Sequence, residues 1–146
     1  MIVLGFAALA VAQSGEFETI DEASVTILAR EPVTDSAEVK HILIGWADLA
    51  EAYRGEMDER AAARSRAEAD ELAMVLLNRL RSGEEIEPLM AEYSEDPGSA
   101  STGRAYTATP DAGLVPPFKA LSLRLEVGEV GLVMTRYGWH IIKRVE

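Results

Sequence analysis

V-G-E-V-G-L-V-M-T-R-Y-G-W-H-I-I-K-R-V, residues 127–145, decides the fold. It reads as two extended runs, Val130–Thr135 and 139–145, folded back on each other at Arg136-Tyr137-Gly138. β-Branched and aromatic residues fill both runs, and Gly138 can supply the positive φ such a turn often needs. A two-stranded hairpin is only marginally stable alone, so this one must pair with more sheet or pack under helices. It carries His140, one of only two histidines; the other, His41, sits in the only other strongly strand-like run.

That run is residues 39–46, V-K-H-I-L-I-G-W. Its near-continuous apolar character fits a central strand covered on both faces. Strand alternation puts Val39, His41 and Leu43 on one face and Lys40, Ile42 and Ile44 on the other. Next, residues 48–59 turn polar around Arg54-Gly55 and read as a loop. A helix is predicted over about 60–81, where Ala69, Leu72, Ala73, Leu76 and Leu80 form one apolar stripe and Gly83 is placed to end it. A second helix is predicted over 85–93, with Pro88 in the tolerated first turn. Residues 94–111 form a long loop of small residues, a length that marks functional or disordered segments. L-V-P-P-F, residues 114–118, then opens a short helix with Pro117 at its first position and Phe118 and Leu121 pointing inward. The order of elements predicts an α+β domain: a small, mostly antiparallel sheet of about four strands, flanked by helices.

Upstream, residues 24–28 fit a short strand, and 13–35 as a whole read as a linker or pro-segment before a domain at 36–146. Residues 1–12, an uncharged apolar run ending Ala10-Val11-Ala12, resemble the core of a secretory signal cut before Gln13. The run is too short to span a bilayer as a helix. The positive residues that usually precede such a core are missing, so a clipped start or an apolar arm packed on the domain compete with export. Export would place the protein outside the cytoplasm (the periplasm, for example); an unprocessed segment would leave it inside.

The 146 residues suit one domain, and 48% apolar content makes it globular. A net charge of −11 argues against nucleic acid and anionic lipid, because both need a basic face. The absence of cysteine excludes disulfides, thiolate nucleophiles and Cys-ligated metal, and two histidines without paired spacing give no metal site. No residue pattern calls for a cofactor.

Six motifs in order carry a resemblance: K-H-I-L-I, a helix ending R-S-G-E, L-M-A-E-Y-S-E-D-P-G-S-A, L-V-P-P-F, V-G-E-V and Y-G-W-H-I-I-K-R-V. Together they resemble the parvulin-type peptidyl-prolyl cis/trans isomerases from about residue 36 to 146. The resemblance implies a histidine pair, His41 and His140, and an acidic group facing the substrate amide, Asp96. It implies an apolar wall for the proline ring, Leu114 and Phe118, and a threonine beside the histidines, Thr135. Tyr137 falls where some members have a serine. The family usually has Gly-Gly-Asp-Leu-Gly where this chain has Gly103-Arg104-Ala105-Tyr106-Thr107, so Tyr106 replaces a pocket leucine; Leu114 replaces a methionine.

Two functions follow as expectations. One is a prolyl isomerase acting on proline-containing polypeptides, without the basic cluster that phosphopeptide-specific members carry after the first strand. The other is a chaperone or peptide-binding module on the same fold, holding extended segments without turnover. His41, Asp96, Phe118 and His140 favour the first, and Tyr106 with its altered loop favours the second.

Overall fold

A computed structural model describes residues 18–146, so the signal-like segment 1–12 lies outside the described residues. The sheet is built from β1 (Ala37–Ile44), β2 (Tyr106–Ala108), β3 (Val130–Thr135) and β4 (Gly138–Arg144), in the order β2-β1-β4-β3. All neighbours run antiparallel. The tail hairpin is therefore β3–β4, and the strand it requires is β1, which sits centrally against β4. Gly138 fixes that junction. Its φ is +127°, and a side chain there would collide with the Ile44 carbonyl oxygen.

Each face of the sheet carries its own core. On one face Ile42, Ile44, Leu132, Trp139 and Ile141 pack under the helices α3 (Arg66–Arg81) and α4 (Ile86–Tyr93). On the other, Val39, Val133 and Ile142 pack with Phe118, Leu121 and Leu125 from α5 (Pro116–Ser122) and the chain that follows it. This two-sided cover explains why β1 reads as almost unbroken hydrophobicity. The stripe on α3 buries Ala69, Ala73, Leu76 and Leu80, joined by Leu77, while Leu72 lies at its margin.

Four local expectations are corrected. Residues 24–28 are not a strand: they fall in and just after α1 (Ile20–Thr26). Thr19 and Glu22 form a reciprocal capping box at its start, and Ala23 and Ile27, four residues apart, are both buried. Part of the segment read as a linker is thus a core-packing helix. Ile27 can reach β3 because residue 131 is glycine: a Cβ there would stand 3.0 Å from the Ile27 Cδ1.

Second, the helix expected over 60–81 is two helices, α2 (Glu59–Ala62) and α3. Ser65 and Glu68 form another capping box, which ends one segment and starts the next. Third, the first half of the polar stretch 48–59 is a 3-10 helix, Ala47–Tyr53, closed by Arg54 in the left-handed conformation. Likewise the 94–111 loop contains β2. No helix among the described residues is long and apolar enough to cross a membrane.

Candidate active site

Register brings the two histidines together. Leu43 pairs with His140 and His41 with Ile142, so His41 and His140 are diagonal neighbours on one face of β1–β4. Their Nδ1 atoms lie 3.2 Å apart. His41 Nε2 lies 3.0 Å from Asp96 Oδ2, and His140 Nε2 lies 2.7 Å from Thr135 Oγ1. Thr135 Oγ1 in turn accepts from the Tyr137 backbone N–H. The four residues therefore form one chain of hydrogen bonds, Asp96–His41–His140–Thr135, buried except at its half-buried Asp96 end.

The ends of the chain assign its protons. An ionised carboxylate only accepts, so His41 Nε2 donates to Asp96. Thr135 already accepts from Tyr137, so its own proton is free for His140 Nε2. His140 Nδ1–H then donates to His41 Nδ1, and every contact is satisfied with neutral rings. Burial pushes the His140 pKa well below the ordinary histidine value, with the His41 ring adding to it and Asp96 opposing.

Asp96 is the hub. Its Oδ2 accepts from His41, from Ser99 Oγ at 2.6 Å and from the Tyr106 hydroxyl at 2.7 Å. Its Oδ1 accepts only the Gly98 N–H, at 3.2 Å, which leaves that oxygen with acceptor capacity. Burial alone would raise the Asp96 pKa, but the bonds from His41, Ser99 and Tyr106 outweigh it and hold the carboxyl well below its usual range. For Tyr106, burial and the bond to Asp96 both raise the hydroxyl pKa, so it stays a donor.

Above this chain opens a cavity of about 500 Å³ lined by His41, Asp96, Tyr106, Leu114, Phe118, Tyr137 and His140, among others. Phe118 stands edge-on to both imidazoles, with ring centroids 5.0 Å from His41 and 5.3 Å from His140. Tyr106 stands edge-on beside Phe118, with its ring centroid 6.1 Å from Phe118 and 5.5 Å from His41. The structure thus gathers all eight residues singled out in the sequence. Seven line the cavity, and Thr135 lies one step behind, touching His140.

The sequence reading missed four neighbours. Tyr53, on the 3-10 helix, lines the cavity, stacks edge-on against Tyr137 and donates its hydroxyl to the Tyr137 carbonyl. Its segment looked like a polar loop, so nothing marked it. Ser99 follows Asp96 by three residues, a spacing that an Asp-initiated turn explains equally well. Glu95 and Arg64 form a buried pair at 2.8 Å beside the cavity; Glu95 also accepts the Gly45 N–H, and Arg64 also donates to the Gly45 carbonyl. Burial raises the Glu95 pKa against the pull of Gly45 and Arg64. These contacts pin the end of β1 to the residue just before Asp96.

The chain is similar to several known proteins. The family model described as the PPIC-type PPIase domain matches residues 24–146, and so begins within α1. Chaperone SurA of Pseudomonas fluorescens is 33% identical over 110 residues, which cover 75% of this chain and 22% of that protein. Foldase protein PrsA of Geobacillus kaustophilus is 32% identical over 136 residues, covering 92% and 47%. The chain thus spans between about a quarter and a half of these curated relatives. Among solved structures, peptidyl-prolyl isomerase ESS1 from Candida albicans superposes with a TM-score of 0.64 at 24% identity, covering 77% of this chain and 63% of that one, a likeness of fold. With the match running through every element from α1 to β4, the chain belongs to the PPIC-type peptidyl-prolyl isomerase family, the parvulins.

Proposed function

We propose that this domain catalyses cis/trans exchange of X-Pro bonds in client polypeptides, without cofactor or metal and without preference for phosphorylated clients. The observation that carries the reading is the hydrogen-bonded chain Asp96–His41–His140–Thr135 lying beneath a cavity walled by Phe118 and Leu114.

Rotation about the bond is opposed by amide resonance, a barrier of roughly 18–20 kcal/mol, and no covalent bond has to break. A catalyst need only hold the twisted amide better than either planar form. Phe118 and Leu114 grip the proline ring. Asp96, kept ionised by its donors, faces the rotating amide with its Oδ1. The histidines act as positioners: each of their ring nitrogens is committed to a bond within the chain, and those bonds fix where Asp96 stands. The apolar wall withholds water from the carbonyl, which weakens resonance.

The binding-module reading has one observation in its favour. Three donors already occupy Asp96 Oδ2, and one of them is the Tyr106 hydroxyl, at the position where the family has leucine. Exchange of an Ala-Pro peptide measured by NMR, for wild type, Asp96→Ala and Phe118→Ala, separates the two. Faster exchange in wild type that both variants lose supports the isomerase; binding without faster exchange in wild type overturns it.

We also infer export of the protein, supported by the signal-like run 1–12. The mature N-terminus isolated from cells tests this, and Met1 retained on cytoplasmic protein rejects it.

A further inference from the structure

We propose that the client groove continues past the proline pocket onto a shelf at the β3–β4 turn, where Arg136 selects segments carrying a carboxylate on one side of the proline. This rests on the isomerase or client-binding reading of the main cavity and adds a charge preference to it.

The shelf is a second depression, and it shares Leu114 and Val115 with the proline cavity. Its remaining lining comes from the start of α5 and from Thr135 and Arg136. A polypeptide extends in both directions from its proline, so a chain seated against Leu114 and Phe118 has this shelf as a continuation of the same apolar floor. The apolar surface supplies contact, and the guanidinium supplies discrimination.

Arg136 is held rather than free to wander. It stacks over the Tyr137 ring at 5.0 Å, and its Nη2 donates to the Tyr137 hydroxyl at 3.0 Å. Both restraints lower the entropy lost when it meets a ligand. Among the described residues it has no carboxylate partner, although the chain has 25 acidic residues to 14 basic ones. Most other arginines are satisfied, as in Arg30–Glu129, Arg60–Asp58, Arg64–Glu95 and Arg79–Glu84.

Asp58 and Glu95, which line the proline cavity, are paired with Arg60 and Arg64, while Glu56 has no cation partner among the described residues. Arg104, stacked over Tyr106 at 4.8 Å, adds a second exposed cation on the β2 side. A carboxylate is therefore favoured at the Arg136 shelf, so the preference depends on position along the client.

The test uses Ala-Pro peptides with one Glu moved through the two positions on each side of the dipeptide, each with a Gln control. NMR reads both exchange (kcat/KM) and binding by titration. For one flank of the proline, Glu should exceed Gln by about two- to fivefold at low salt, the scale of an exposed ion pair. Added salt should shrink that ratio. Arg136→Ala should bring it to about one, and Arg136→Glu should reverse it. Equal Glu and Gln peptides at every position, or a ratio that survives Arg136→Ala, overturns the proposal. Peptides that bind with this Arg136-dependent ratio but are never exchanged faster would remove the isomerase reading and leave the shelf standing.

Discussion

His140 Nδ1 lies 3.2 Å from His41 Nδ1, and only one of the two nitrogens holds the proton between them. Thr135 and Asp96, at the outer ends, decide which. The contact is thus a directional link that transmits the position of the β3–β4 turn to the Asp96 loop. Two like-charged imidazolium rings could not share it, since both nitrogens would be donors.

That link predicts a pH dependence of stability. The folded His140 pKa is depressed, so below its ordinary value of about 6.5 the unfolded chain binds a proton that the folded chain refuses. Stability is fully present above that value and falls as pH drops through it. Asp96, also depressed in the fold, adds a second loss below about pH 4. Thermal unfolding followed against pH should show both declines, and His140→Asn should flatten the first. An unchanged slope in the variant would show that another group carries it.

Gly138 makes a sharper prediction. Its φ of +127° and the Ile44 carbonyl oxygen standing where a β-carbon would go leave no room for a methyl group. Gly138→Ala should cost more than about 3 kcal/mol, the range in which a strained backbone and a core clash combine. Denaturant unfolding reads it directly. Gly55→Ala is the control: Gly55 also has positive φ, at 84°, but nothing lies within 4 Å of where its side chain would be, so it should cost clearly less.

The buried Glu95–Arg64 pair predicts asymmetry. The Glu95 side chain is 1% exposed, and Arg64→Met would leave that carboxylate facing only the Gly45 N–H. Removing one partner of such a pair costs about 3–5 kcal/mol, whereas replacing both by apolar groups is often close to neutral. Glu95→Leu with Arg64→Met should therefore be more stable than Arg64→Met alone in urea unfolding. If the double variant is the less stable, Glu95 stabilises the fold even without Arg64, through its bond from the Gly45 N–H.

How far the sequence reached follows from what each signal depends on. β1, β3 and β4 were legible because burial on both faces, or strict alternation, writes itself into consecutive residues. The histidine pair, Asp96 and Phe118 were legible through motif order, since composition alone gives each a plain core or turn reading. β2 was not located, because its three residues carry no run long enough to show period two; it exists by pairing with β1. α1 was misread because Val25 and Ile27 suggest a strand, while the deciding features are the Thr19–Glu22 cap and the space above Gly131. Tyr53 and Arg64 act across long sequence separations, bonding to Tyr137 and Glu95, and no local pattern announces such partners.

Tyr106 stands where the family resemblance implies a leucine. Its hydroxyl reaches Asp96 only because residue 98 is glycine: a Cβ there would stand 2.9 Å from that oxygen. Gly98 and Tyr106 are therefore coupled. Gly98→Ala should be destabilising in wild type and better tolerated with Tyr106→Phe, giving a coupling of about 0.5 kcal/mol or more in a double-mutant cycle. Tyr106→Phe alone should cost about 0.5–1.5 kcal/mol for the lost hydrogen bond. Tyr106→Leu adds a functional readout, because it restores the family's residue, frees one acceptor site on Asp96 and widens the pocket. It should raise kcat/KM for Ala-Pro exchange above wild type. If instead exchange falls while peptide binding is retained, the hydroxyl itself faces the rotating amide, and Asp96 serves to hold it there.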